Sequence, residues 1–194
     1  MKWYPVHRSN SIALLLALLV SWPLLAGADQ RAPELATLFA ALSNADDAAA
    51  AHVVEQQIWE LWFKPPNEHA GALFTQGRSA VEKGELPAAK AAFDQLISEF
   101  PEFAEGWNQR AIVHFLLNDL EAALADVDKT LALEPHHFGA LSGRGQCYIR
   151  MERPREALAA FEETLKVDRW LDGIAQQTEM LRAFVNRQHR PQAI

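Results

Sequence analysis

The chain repeats itself every 34 residues, and that period constrains its fold more than any motif in it. Pro101 and Pro135 lie one period apart, each following an acidic or aromatic helix end (Glu99-Phe100 and Leu133-Glu134). Counting back from them brings further columns into register. One holds Leu73, Trp107 and Leu141, and a second Gly77, Ala111 and Gly145. A third holds Ala89, Ala123 and Ala157, and a fourth Phe93, Val127 and Phe161. Small residues recur where two helices must approach closely, and large apolar ones where the gap between helices must be filled. Turn signals fall midway through each unit, at Lys83-Gly84-Glu85, Leu117-Asn118-Asp119 and Glu152-Arg153, so each unit is two helices. Pro87 and Pro154 sit near the start of the second helix, where a missing N–H costs nothing. One helix pair cannot bury both of its apolar faces alone. Stacking the units buries them, so stability is collective and the ends need covering.

These columns resemble the tetratricopeptide repeat, with Trp107 and Tyr148 at the motif's tryptophan and tyrosine in the second and third units. The resemblance spans residues 70–169. Arg169 replaces the terminal proline of the third unit, Ala80 and His114 stand at the tyrosine position, and Val127 replaces an aromatic. The resemblance implies an all-α fold, a right-handed α-α superhelix. Its units fall at 70–103, 104–137 and 138–169. It also implies a concave groove lined by the first helices, which accepts a protein segment or extended peptide. Carried over by position, the lining is Phe74 and Arg78 from unit one and Asn108, Ile112 and Phe115 from unit two, with Ser142, Gln146 and Ile149 from unit three. The subset of the family that clamps carboxylates uses Lys and Asn where Phe74 and Arg78 stand, and basic residues where Gly139 and Gly143 stand. Recognition of a chaperone-type acidic C-terminus therefore does not carry over. Two glycines on one helical face cost about 1 kcal/mol each relative to alanine. They allow two readings: tight helix packing or a late helix start near Phe138, or close approach of a ligand backbone. Ala104–Arg110 and Leu131–Gly143 also resemble small exported proteobacterial repeat proteins of unassigned role.

The flanks lack the repeat columns. Leu35, Leu38, Phe39 and Leu42 mark one helix, and Asp46 is placed to cap a second through Val54, Ile58, Leu61 and Trp62. Pro65-Pro66 ends that helix, making residues 29–66 a helical hairpin and linker. Packing on the stack is expected, with recruitment of a partner as the alternative. Leu171, Ile174, Leu181, Phe184 and Val185 mark an amphipathic capping helix over 170–188, followed by a tail at 189–194.

Residues 1–28 carry the pattern of a secretory leader. Lys2 and Arg8 precede an unbroken apolar run from Ile12 to Val20, and Ala26-Gly27-Ala28 offers a small-x-small cleavage site. Nine apolar residues fall short of the about 20 that span a bilayer. Cleavage after Ala28 and a periplasmic or secreted location are the expectation, with an uncleaved N-terminal anchor as the alternative. The formal charge of −7 argues against nucleic acid or anionic lipid as partners, and losing Lys2 and Arg8 strengthens the argument.

Catalysis finds little support. The chain contains no glycine-rich phosphate loop, no nucleophile elbow and no His-Glu-x-x-His sequence. Cys147 is the single cysteine and is expected as a buried small apolar group. His136 and His137 are adjacent, so on a helix they point about 100° apart and make a poor chelate; a capping or exposed role is expected. Asp46-Asp47, Glu162-Glu163 and Asp126/Asp128 are expected on solvated helix faces. The chain is thus expected to be a non-catalytic binding scaffold without a cofactor. The alternative is a periplasmic assembly factor holding a client such as an apo-cytochrome or envelope protein.

Overall fold

The computed structural model describes residues 32–188. The leader at 1–28, its cleavage site and the tail at 189–194 lie outside the described residues. Within them the chain forms nine helices and no strand. They are α1 (Ala32–Ser43), α2 (Ala48–Trp62), α3 (Glu68–Glu82), α4 (Leu86–Glu99), α5 (Ala104–Leu116), α6 (Leu120–Leu133), α7 (Phe138–Arg150), α8 (Pro154–Val167) and α9 (Ile174–Gln188). The pairs α3/α4, α5/α6 and α7/α8 are the three units, and consecutive pairs pack on one another to form an all-α solenoid.

Inside a unit, the small and large columns meet. A Cβ on Gly77 would lie 2.5 Å from the Phe93 ring, and one on Gly145 would run into Phe161. Glycine is therefore required where an aromatic ring crosses the partner helix. The middle unit solves the same contact with Ala111 and Val127, both buried.

The turn between the two helices is the same in all three units. Gly84, Asn118 and Glu152 have φ of 74°, 62° and 56°. The following N–H groups of Glu85, Asp119 and Arg153 reach back to the carbonyls of Ala80, His114 and Tyr148 at 2.8 to 2.9 Å. This left-handed residue with a six-residue backbone bond closes the orphan carbonyls of the first helix. Only the first unit uses glycine there. Between units, Arg110 reaches Asp94 at 2.7 Å and Arg144 reaches Asp128 at 2.8 Å, again one period apart.

Helix entries follow side-chain capping. Asp47 accepts the N–H of Ala50 at 2.8 Å, so the cap of α2 is Asp47 and not its neighbour Asp46. Asn67 caps α3, so the first unit starts at Glu68, two residues before the expected 70. The last helix starts at Ile174 and not at 170, because Gly173 turns the chain at φ 74°. Ile174 of α9 is buried against α8, whereas Met180 and Phe184 stay exposed.

The N-terminal hairpin packs on the array. It lies across the side formed by the first helices, and its apolar face joins Phe138 at the start of α7, Val167 at the end of α8, and Trp170 and Leu171 after it. Phe63 meets Phe74 of α3 with ring centroids 6.0 Å apart, and Arg169 donates to the carbonyl of Ala45 at 2.8 Å. The hairpin therefore bridges the first unit to the last.

Candidate functional site

Trp59, Trp62 and Phe63 lie at the C-terminal end of α2 and decide which part of the inner side stays open. Trp62 stacks on His137, and Trp59 meets His137 and Phe138 edge-on at 5.5 and 5.3 Å. Gly139 is what admits Trp59, since a Cβ there would stand 2.6 Å from the indole. Gly143, one turn on, has nothing within 4 Å of its Cβ position. The two glycines thus have different reasons. Gly139 is a packing contact, and Gly143 borders open space.

That space is a cleft of about 280 Å³. Trp59 and Phe63 form one wall, and Ile112 and Phe115 of α5 the other. Ala111, Ala123, Val127 and Cys147 line its apolar depth, and Asn108, Gln109 and Gln146 supply amides. Burial pushes the Cys147 thiol above its ordinary range, so it stays neutral.

Of the eight residues expected in the groove, Asn108, Ile112, Phe115 and Gln146 come together in this cleft. Phe74 is buried in the core of the first unit, and Arg78 lies over the Phe63 ring at 5.1 Å. The hydroxyl of Ser142 donates to the carbonyl of Gly139 on its own helix. Ile149 is exposed and borders a separate shallow depression with Leu181 and Phe184. Trp59 and Phe63 were not expected as lining. Their signal was three aromatic residues within five positions at the end of α2, opposite two glycines on α7.

Beneath the cleft lies a buried polar cluster. Glu105 accepts from Asn108 at 3.1 Å, from Gln109 at 2.6 Å and from His137 Nε2 at 2.9 Å. His137 Nδ1 accepts the N–H of Ala140 at 3.1 Å and so caps α7. With Nδ1 an acceptor, Nε2 carries the proton that is donated to Glu105. His136 is exposed and meets Phe39 edge-on.

One expectation about acids fails, and one facing pair of acids was not read from the sequence. Asp126 is 3% exposed and takes a two-pronged contact from Arg110, at 2.6 and 2.8 Å, because Arg110 reaches in from the facing helix. Glu55 of α2 and Asp168 after α8 also face each other in an apolar setting, although they are far apart in sequence. Burial and the facing Asp168 carboxylate push the Glu55 carboxyl up. Burial raises Asp168 as well, while the N–H of Trp170, at 2.9 Å, works to keep it ionised. The bond between the two carboxyls raises Glu55 and lowers Asp168. No group of three His, Cys, Asp or Glu side chains able to hold a metal occurs among the described residues.

The sequence model of the tetratricopeptide repeat family matches residues 74–137. A TPR repeat-containing protein of Rhizobium etli is 29% identical over 130 residues, covering 67% of this chain and 64% of its own length. Tetratricopeptide repeat protein 36 of Danio rerio is 36% identical over 78 residues, or 40% of this chain and 39% of its own. Among solved structures, the first TPR of Spaghetti (RPAP3), bound to the HSP90 peptide SRMEEVD, superposes with a TM-score of 0.59. It does so at 18% identity, covering 63% of this chain and 97% of that one. The Sgt2 TPR domain of Aspergillus fumigatus gives 0.59 at 20% identity, covering 67% and 89%.

Residues 74–137 belong to the tetratricopeptide repeat family. The match spans less than two thirds of the length of either curated relative. As a tetratricopeptide-repeat array, the chain carries its hairpin across the first helices of its repeats. The inner side that remains open belongs to repeats two and three.

Proposed function

We propose that this tetratricopeptide-repeat protein is a non-catalytic scaffold, and that it holds an extended segment of a partner protein in the cleft between α2 and repeats two and three. The observation that carries this reading is the cleft itself: apolar walls with amides among them. An extended peptide needs pockets for its side chains and hydrogen-bonding partners for its backbone. Solved neighbours are described as complexes with an HSP90 peptide and with Hsp70, which supports a peptide ligand for the fold. The acidic HSP90 peptide is a poor model for this chain's ligand. Phe74 is buried, Arg78 covers Phe63, and Gly139 and Gly143 offer no charge.

We further propose that the protein works outside the cytoplasm, most simply in a periplasm, after removal of residues 1–28. The leader pattern of Lys2, Arg8, Ile12–Val20 and Ala26-Gly27-Ala28 supports this. N-terminal sequencing of the purified protein tests it. A start at Asp29 is expected, and a start at Met1 overturns cleavage.

The binding reading is tested by recovering partners of the full-length protein from its native envelope, beside an Ile112→Glu variant. Ile112 is 40% exposed, so a glutamate there is solvated in the free protein and desolvated in a complex. The expected result is a stoichiometric partner that Ile112→Glu no longer retains. A partner held equally well by the variant overturns the cleft as the binding site.

A further inference from the structure

We infer that repeat two, through its Ala111–Val127 pair, makes the depth of the cleft an anchor pocket for one large uncharged apolar side chain of the bound peptide. This rests on the peptide-binding reading above and goes further by naming the chemistry of the ligand. The three repeats provide an internal comparison. In repeats one and three, the seam between the two helices is closed by a phenyl ring laid on a glycine: Phe93 on Gly77 and Phe161 on Gly145. Both rings are wholly buried. In repeat two the glycine has become Ala111 and the phenylalanine Val127. One methyl is gained and a phenyl ring is exchanged for isopropyl, so less material fills the seam. Ala111, Ala123 and Val127 accordingly line the cleft.

Unfilled apolar volume costs stability in proportion to its size. A repeat that keeps such a space where its neighbours fill it gains when a ligand supplies the missing group. The size sets the guest. About 280 Å³ is below the range of pockets for drug-sized ligands and suits one large side chain. The lining sets its charge, because none of the lining side chains is ionic. Arg150 lies 4.1 Å over the Phe115 ring and donates to the Phe115 carbonyl, and Arg78 lies 5.1 Å over the Phe63 ring, so both cations beside the cleft are engaged on aromatic faces. A lysine or glutamate guest would be desolvated in a depth that no ionic side chain lines. Trp59, Phe63 and Phe115 favour an aromatic or branched aliphatic guest instead.

The test uses full-length protein and a set of blocked, uncharged nonapeptides differing only at a central guest residue: Phe, Leu, Ala, Lys or Glu. Binding is read by fluorescence anisotropy. Phe and Leu guests are expected to bind about tenfold or more tighter than Ala, with Lys and Glu no tighter than Ala. The double variant Ala111→Gly with Val127→Phe installs the pair that repeats one and three already accommodate. It is expected to keep its thermal midpoint and to lose the preference for Phe and Leu. Gly143→Leu, which fills the cleft from its open side, is the second variant and is expected to act likewise. A preference unchanged in both variants, or a Glu guest binding tightest, overturns the anchor pocket. Guest-independent binding that Ile112→Glu abolishes also overturns the pocket while leaving the scaffold reading standing. If no peptide binds and Ile112→Glu still retains the native partner, both fall.

Discussion

The imidazole of His137 lies flat on the indole of Trp62, with ring centroids 3.9 Å apart and planes 8° from parallel. This contact joins the N-terminal hairpin to the entry of the third repeat, and it makes the hairpin a structural member of the inner side. Trp62 is 4% exposed, and truncating a buried tryptophan costs about 3–5 kcal/mol. Trp62→Ala is therefore expected to undock α1 and α2. Hydrogen exchange should accelerate there and leave α4 and α6 unchanged. Trp62→Phe keeps a stacked ring and should hold protection close to wild type. Equal protection of α2 in Trp62→Ala would show that the stack does not hold the hairpin.

The glycines separate cleanly by what a methyl would meet. Gly145→Ala drives a Cβ into the Phe161 ring, and overpacking of this kind costs about 1–3 kcal/mol in thermal or urea unfolding. Gly143→Ala meets nothing and replaces a poor helix former, so it should be neutral or stabilise by up to about 1 kcal/mol. Gly139→Ala should act through the hairpin, by displacing Trp59, and raise exchange in α2.

Glu152 holds a left-handed backbone at φ 56°, at the position where repeat one has Gly84. For a residue with a Cβ that conformation costs roughly 1–2 kcal/mol. Part of this is offset by the chain entropy that glycine loses on folding. Glu152→Gly is expected to stabilise the protein by up to about 1 kcal/mol, which calorimetry would show as a rise of a few degrees in Tm.

Glu55 and Asp168 predict a pH dependence of hairpin docking. Both carboxyls are raised in the folded protein, Glu55 chiefly by burial and then by Asp168. A raised carboxyl binds its proton more tightly folded than unfolded. Its contribution is thus present below the ordinary carboxylate range near pH 4 and is lost as pH rises through the folded value. His52, 3.5 Å from Glu55, works against this shift, and Asp172 adds to it on the Asp168 side. Protection of α2 at matched intrinsic exchange rates should therefore fall as pH rises from about 4. Glu55→Gln should flatten that profile and stabilise the docked hairpin at neutral pH. A profile unchanged in Glu55→Gln would refute the assignment.

The repeats were legible because their information is local and periodic. Gly77 with Phe93, Gly145 with Phe161, and the turns at Gly84, Asn118 and Glu152 all sit within one helix pair, at a spacing the sequence itself repeats. The helices α5 and α7 start at 104 and 138, where the period places them. Four of the eight residues expected in the groove share the cleft for the same reason: Asn108, Ile112, Phe115 and Gln146 are register positions on first helices. The other four do not. Phe74 is covered by Phe63, a residue outside the repeat register, and Arg78 follows it.

What the sequence determined by itself was the architecture, since a 34-residue period of small and large apolar residues requires helix pairs to stack on one another. What only the tertiary structure decided was where the non-repeating hairpin goes. Its aromatic end could have covered the first repeat or waited for a partner, and no periodicity chooses between them. The choice rests on contacts between distant residues. Gly139 leaves room for Trp59, His137 offers a face to Trp62, and Asp168 faces Glu55 across an interface that exists only once the array has folded. Those contacts close one end of the inner side and leave open the cleft over Ala111 and Val127.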